Sequence, residues 1–161
     1  MITKKIAGDL YGNGFMLQRK DKTIFGIMGI NDTGMLLSIA GVSMAYTENN
    51  QIGTDYHILA RPLSDLTKEI THKGETFVPI VECAKIAFPA LSNDWEYYDE
   101  ISKAISKYGV TFGFDKEFYT VEATPVPSQM DLFDKLREWN FSIGLLEGSW
   151  IPVTDNNNPY K

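Results

Sequence analysis

Cysteine is nearly absent from this chain: Cys83 is the single one in 161 residues. It has no partner for an intramolecular disulfide, and a cysteine-rich zinc site is excluded. A lone thiol suits a reducing compartment. Histidine is almost as scarce. His57 and His72 form neither HxxxH nor HExxH, and neither has a cysteine or paired carboxylate beside it. No metal and no cofactor are therefore expected. Long apolar runs are missing as well. The longest uncharged one, Gly34 to Tyr46, falls short of the about 20 residues that cross a bilayer. It reads as one or two buried strands. The start, Met1 to Asp9, is basic but has no apolar run behind it, so neither a signal peptide nor a membrane role is expected.

Basic charge is thin and scattered. Lys and Arg number 15 against 21 Asp and Glu, giving a net charge of −6 and a pI of about 4.9. Nucleic-acid binders gather a basic face that displaces counterions from phosphates. The densest group here is Arg19, Lys20 and Lys22 beside Asp21, which reads as a solvated turn. Direct nucleic-acid binding is not expected. The acidity suits a soluble chain, or one that meets a basic partner surface.

Catalytic motifs are incomplete. Gly12-Asn13-Gly14-Phe15 lacks both GxxxxGK[ST] and the third glycine of a dinucleotide fingerprint, so it reads as a turn. No GxSxG occurs. Cys83 falls on the apolar stripe of its expected helix, where a thiol behaves as a small hydrophobe. A nucleophilic pair with a histidine would need the two to meet in space. No catalytic residue is assigned.

What the chain does have is core. Hydrophobic residues make up 43% and aromatic ones 12%, enough to pack without a staple, since a domain of this length buries roughly 70% of its unfolded surface. One domain over 1–161 is expected, with residues 1–50 as a β-rich subregion and 154–161 as a frayed polar tail. Residues 1–20 are glycine-rich and ambiguous. Thr23–Ile30 reads as a buried strand, and Asn31-Asp32-Thr33-Gly34 as a turn. Met35–Tyr46 fits one long strand with a bulge at Gly41. A helix remains open there, because a short apolar run does not settle the period. Tyr56–Ala60 is a short strand stopped by Arg61-Pro62, with one helical turn after it. Lys68–Thr71 and Glu75–Val78 form a hairpin around Gly74, and Pro79 opens a helix to about Ala87.

The clearest helix starts at Asn93, with Glu96 three residues on as a capping box and Gly109 as its stop. Tyr98, Ile101, Ile105 and Tyr108 make its apolar stripe. Strands at Val110–Phe114 and Phe118–Glu122 follow. A last helix, Gln129–Trp139, buries Leu132, Phe133, Leu136 and Trp139. Repeated hairpin-type turns without βαβ alternation point to an α+β fold, a largely antiparallel sheet with about three helices.

Asp94, Trp95, Glu96, Tyr97, Asp99 and Glu100 are the candidate partner-binding residues. As a surface they could imitate nucleic-acid phosphates or dock on a basic cleft. Helix-end complementarity and a solvated face account for them more simply, and that reading outweighs the first. Glycosidase-type carboxylate pairs stay open, because separation is a three-dimensional fact.

Two stretches carry a resemblance. Leu59-Ala60-Arg61-Pro62-Leu63-Ser64-Asp65-Leu66-Thr67-Lys68-Glu69-Ile70, with Gly74-Glu75-Thr76-Phe77-Val78-Pro79-Ile80, resembles a phrase in small uncharacterised proteins of bacteriophages and mobile elements. Asp131-Leu132-Phe133-Asp134-Lys135-Leu136-Arg137-Glu138-Trp139-Asn140-Phe141, with Gly144-Leu145-Leu146-Glu147, is similar to their closing segment. Residues 1–50 do not share the pattern, and Ser149-Trp150-Ile151-Pro152 replaces the usual close. The resemblance implies origin and brings no catalytic residues with it. Together with the acidity, it leads to an expected function: a non-enzymatic phage or mobile-element accessory protein in the host bacterial cytoplasm. It would bind a host or defence protein through a basic surface on that partner, as anti-CRISPR inhibitors do. The rivals are an interaction module of phage replication or DNA-processing machinery, and a small enzyme with dispersed carboxylates.

Overall fold

The computed structural model describes residues 2–39, 41–87, 111–115, 118–122 and 129–161. The chain divides into two compact units, Met1–Leu63 with Arg137–Lys161, and Ser64–Leu136. Its class is α+β. Among the described residues there are three α-helices, and the sheets are mostly antiparallel.

The first unit opens with helix α1 (Lys4–Gly12), in the stretch that glycine made ambiguous. Thr3 caps it, its hydroxyl oxygen accepting from the Ile6 amide at 3.3 Å. Asn13 and Gly14 (φ 65°) then turn the chain, as the sequence suggested. Strands β1 (Met16–Arg19), β2 (Ile24–Ile30), β3 (Gly34–Ile39), β4 (Val42–Glu48) and β5 (Tyr56–Ala60) follow. A late strand, β10 (Trp150–Pro152), completes a six-stranded sheet in the order β10-β5-β1-β2-β3-β4. Only the β10–β5 pair of that sheet is parallel.

Three expectations are corrected here. Met35–Tyr46 is not one long strand. Ile39 pairs with Val42, and Gly41 (φ 82°) helps reverse the chain between them, so the apolar run folds into a hairpin. Residues 1–50 do not close a subregion by themselves, because β1 takes β5 as its second neighbour. The tail does not fray. Tyr160 is buried, and its hydroxyl donates to the Leu59 carbonyl at 2.7 Å while accepting from the Met16 amide at 2.9 Å. A polar segment stays ordered when one aromatic anchor finds both a pocket and hydrogen-bond partners.

The sheet has two faces. On one, α1 contributes Ala7 and Leu10 to a core with Leu17, Phe25, Met35, Leu37 and Ile58. On the other, Val153 and Tyr160 of the tail cover Leu59, Met16, Ile24 and Ile151. Pairing of Leu59 with Met16, Met16 with Gly26 and Gly26 with Ser38 carries this second face across to β3. Strand alternation then sets Leu36 on it, and its partner Tyr46 beside it.

The two resembling stretches meet at Arg61. Its amide donates to the Asn140 carbonyl at 2.7 Å, and the Ser142 amide donates back to the Arg61 carbonyl at 3.0 Å. The guanidinium is buried. Its Nε donates to the Trp139 carbonyl at 3.2 Å, and the group lies 5.8 Å from the Tyr160 ring centre. Asn140 takes φ 61° and sends its side-chain amide to the Asn13 carbonyl at 3.0 Å. These contacts tie Arg61 and Asn140 into one hydrogen-bonded junction.

In the second unit, β6 (Ile70–His72) and β7 (Glu75–Phe77) form the expected hairpin. Lys73 (φ 50°) and Gly74 (φ 84°) both take the left-handed conformation that a two-residue hairpin loop needs. Helix α2 (Pro79–Ala87) starts at its proline, and the Ile80 amide donates to the Leu66 carbonyl at 2.9 Å. Strands β8 (Thr111–Asp115) and β9 (Phe118–Glu122) pair antiparallel. Helix α3 (Gln129–Glu138) buries Leu132 and Leu136, with Phe133 only half-buried. The helix expected from Asn93 to Gly109 lies outside the described residues.

Candidate functional site

The six residues singled out for partner binding, Asp94, Trp95, Glu96, Tyr97, Asp99 and Glu100, lie outside the described residues. The other candidates can be placed. Cys83 is buried on α2, and burial pushes its thiol up to about 12, so it carries no thiolate at neutral pH. His57 is half-buried on β5, and His72 is buried at the end of β6. Among the described residues no three His, Cys, Asp or Glu side chains converge as metal ligands. Among those residues, too, no helix is long and apolar enough to cross a membrane. A shallow cavity of about 240 Å³ opens between Ile2, Ile52 to Thr54 and Leu146 to Ser149. Glu147 is its one charged lining group, and its size falls below the roughly 300 Å³ at which small-molecule sites begin.

The feature that stands out is the far half of the sheet's second face. Tail residues cover that face over β10, β5, β1 and the start of β2. Beyond Gly26 and Ser38 the side chains come out to solvent. Leu36 is 39% exposed, Met28 42% and Tyr46 45%. Ile39 and Val42, paired at the tip of the β3–β4 hairpin, alternate to the opposite face and are exposed there, with Val42 at 62%. Single exposed apolar residues are ordinary, but three side by side on three neighbouring strands are a patch.

The patch is built, not loose. Register slips between Ile27 and Gly29, which leaves Met28 as an extra residue in β2 and turns its side chain outward. Tyr46 is pinned at its far end. Its hydroxyl donates to Asn31 Oδ1 at 3.0 Å and lies 2.7 Å from the Thr33 hydroxyl. Its ring lies over Gly34, where a Cβ would run into both the ring and the Thr47 carbonyl. Gly34 is therefore required by close approach, and the ring covers the bare backbone there. An aromatic side chain held half in solvent, with little rotamer freedom left to lose, is the kind of anchor that concentrates binding energy.

The strands that carry the patch contribute no basic residue of their own. From Thr23 to Ala60 there is no Lys or Arg, while Asp32, Glu48 and Asp55 are present. Lys4 ion-pairs with Asp32, and Lys20 with Asp55 at 2.7 Å. The Lys4 ammonium holds the Asp32 carboxyl below its usual range. Glu48 closes β4 at the exposed edge of the sheet.

The sequence reading missed these residues by treating both apolar runs as buried strands. Apolar side chains on both faces do signal a strand covered on both faces. The same pattern arises when one cover comes from another molecule, and nothing local separates the two. No family model, no curated protein and no solved structure matches the chain.

Proposed function

We propose that this protein works by binding another protein through the open half of its sheet, and not by catalysis. The observation that supports this is the apolar surface of Met28, Leu36 and Tyr46. Burying it removes apolar area from water at roughly 25 cal/mol per Å², the main driving term of association. In the phage or mobile-element setting that the sequence resemblance implies, the partner is a host or defence protein in the bacterial cytoplasm. A net charge of −6 favours a basic surface on that partner and speeds encounter with it. Anti-CRISPR-type inhibition, with the acidic chain occupying a nucleic-acid channel, is the form this would take.

The test compares affinity capture from infected host cells by the wild type and by Leu36→Asp. Capture of one specific host or defence protein by the wild type, lost in the variant while the fold is retained, is the expected result. Equal capture by both would place the interaction elsewhere.

A further inference from the structure

Asn13-Gly14, the turn that leads from α1 to β1, is the one Asn-Gly pair in the chain. An Asn-Gly pair can modify itself without an enzyme, because glycine leaves the amide after the asparagine unhindered. The Gly14 nitrogen gives up its proton and attacks Asn13 Cγ. A new N–C bond closes a five-membered succinimide, and Nδ2 leaves as ammonia. Water then opens the ring at either carbonyl, giving aspartate or isoaspartate. One water is consumed, one ammonia is released, and no electrons change hands. Asn13 is half-buried and Gly14 exposed, so water reaches the pair. The fold nevertheless holds the reacting atoms apart. Asn13 sits at ψ 8°, where the Gly14 nitrogen eclipses the Asn13 nitrogen. Cβ, another substituent of the same tetrahedral carbon, then points about a third of a turn away. Ring closure needs the peptide between the two residues to rotate, and that peptide is tied on both sides. Asn140 Nδ2 donates to the Asn13 carbonyl at 3.0 Å, and the Gly14 amide donates to the Tyr11 carbonyl at 3.2 Å. The leaving group is held too, since Asn13 Nδ2 donates to the Asp9 carbonyl at 2.8 Å.

We propose that Asn13 is a self-deamidation site, held unreacted in the folded protein by the clamp from Asn140 and released when that clamp opens. Asn140 is buried, and it belongs to the segment that returns to Arg61. Opening of that late segment is therefore recorded chemically at the start of the chain. The record also feeds back. Aspartate at position 13 replaces a donor with an acceptor facing the Asp9 carbonyl, and sets a negative charge at the C-terminal end of α1, where the helix dipole opposes it. Isoaspartate adds a methylene to the main chain in the same turn. Gly14 takes φ 65° there, and the Phe15 amide just beyond donates to the Leu10 carbonyl at 2.9 Å. Either product loosens this junction, so a reacted molecule opens more often than an unreacted one.

The test ages the full chain in mildly alkaline buffer and follows Asn13 by peptide mass spectrometry, with aspartate and isoaspartate separated by chromatography. Reaction in the folded protein should run about tenfold or more slower than in the same chain unfolded in urea, since it draws on a locally open state. Asn140→Gly keeps the positive φ and deletes the Nδ2 donor. It should speed the folded reaction about fivefold, the weight of one hydrogen bond. Tyr160→Phe, which weakens the tail without touching the turn, should leave the rate near that of the wild type. Asn13→Asp should exchange its Phe15 amide hydrogen about fivefold faster than the wild type. No product at Asn13 in the unfolded chain overturns the site, and equal rates folded and unfolded overturn its protection. That ratio needs no variant, so it decides the protection even where Asn140→Gly does not fold. Equal acceleration by Tyr160→Phe and Asn140→Gly overturns the clamp in favour of global stability. Unchanged exchange at Phe15 in Asn13→Asp overturns the feedback.

Discussion

The second face of the sheet is built twice from similar material, and the two halves are finished differently. Over β5 and β1 it carries Leu59 and Met16, and the chain's own tail lies on them through Val153 and Tyr160. Over β3 and β4 it carries Leu36 and Tyr46, which remain in solvent. Both halves are apolar, so hydrophobicity alone does not distinguish core from surface. What distinguishes them is whether a later part of the chain returns. The covered half is locked by directional bonds, with Tyr160 joining Leu59 to Met16 and Arg61 joining Trp139 and Asn140. The open half is stiffened from within, by a bulge and by an aromatic ring over a glycine.

The comparison breaks if substitutions at the two halves cost the same. The largest loss is expected where the returning segment meets Arg61. Phe141 is fully buried there, and Phe141→Ala should destabilise by about 3–5 kcal/mol in chemical denaturation, through lost transfer energy and a residual cavity. Next is Tyr160→Phe, which strands the Leu59 carbonyl and the Met16 amide. A loss of about 2–3 kcal/mol is expected from two buried groups left unsatisfied.

Tyr160 also sets a pH limit. Burial, the main cause, raises its phenol above the ordinary value, which is about 10. The folded state then holds its proton more tightly than the unfolded one. Stability from this group is complete below about pH 10 and falls as pH rises further. Denaturation midpoints measured from pH 8 upward should show that decline, and Tyr160→Phe should lack this group's share of it.

Gly34→Ala sharpens the comparison from the open side. The added Cβ meets the Thr47 carbonyl and the Tyr46 ring, so a cost of about 1–3 kcal/mol is expected. The Tyr46 hydroxyl should also lose its place at Asn31, visible as faster hydrogen exchange in the Asn31–Gly34 turn. The smallest effect belongs to the patch itself. Leu36→Asp should change stability by no more than about 0.5 kcal/mol, as exposed positions do. A loss of several kcal/mol in denaturation would mean that Leu36 is core after all.

Much of the architecture could be read locally. Asn31 to Gly34, Lys73-Gly74 and Pro79 carry their turn and helix-start chemistry in their own side chains and backbone freedom, and the structure places them accordingly. Helix α1 could not be read so. Gly8 and Gly12 weaken its helix propensity, and it is held by the Thr3 cap and by burial of Ala7 and Leu10 against strands later in the chain. Strand β10 was equally hidden, since three residues ending in proline carry no period. The candidate site was visible only as an apolar run, because the sequence pattern of β3 and β4 is the same whether their outer face is covered or not.

The class and the punctuation are written locally along the chain: an acidic α+β protein, its hairpin turns, and a thiol placed on an apolar stripe. These follow from nearest-neighbour chemistry, where φ preferences, capping and alternation act over a few residues. Which apolar strands become core is a long-range choice. That choice depends on contacts such as Tyr160 with Leu59, which lie 101 positions apart. No local pattern encodes where a polar tail will return, and where it stops short, the same side chains that would have been core become a surface.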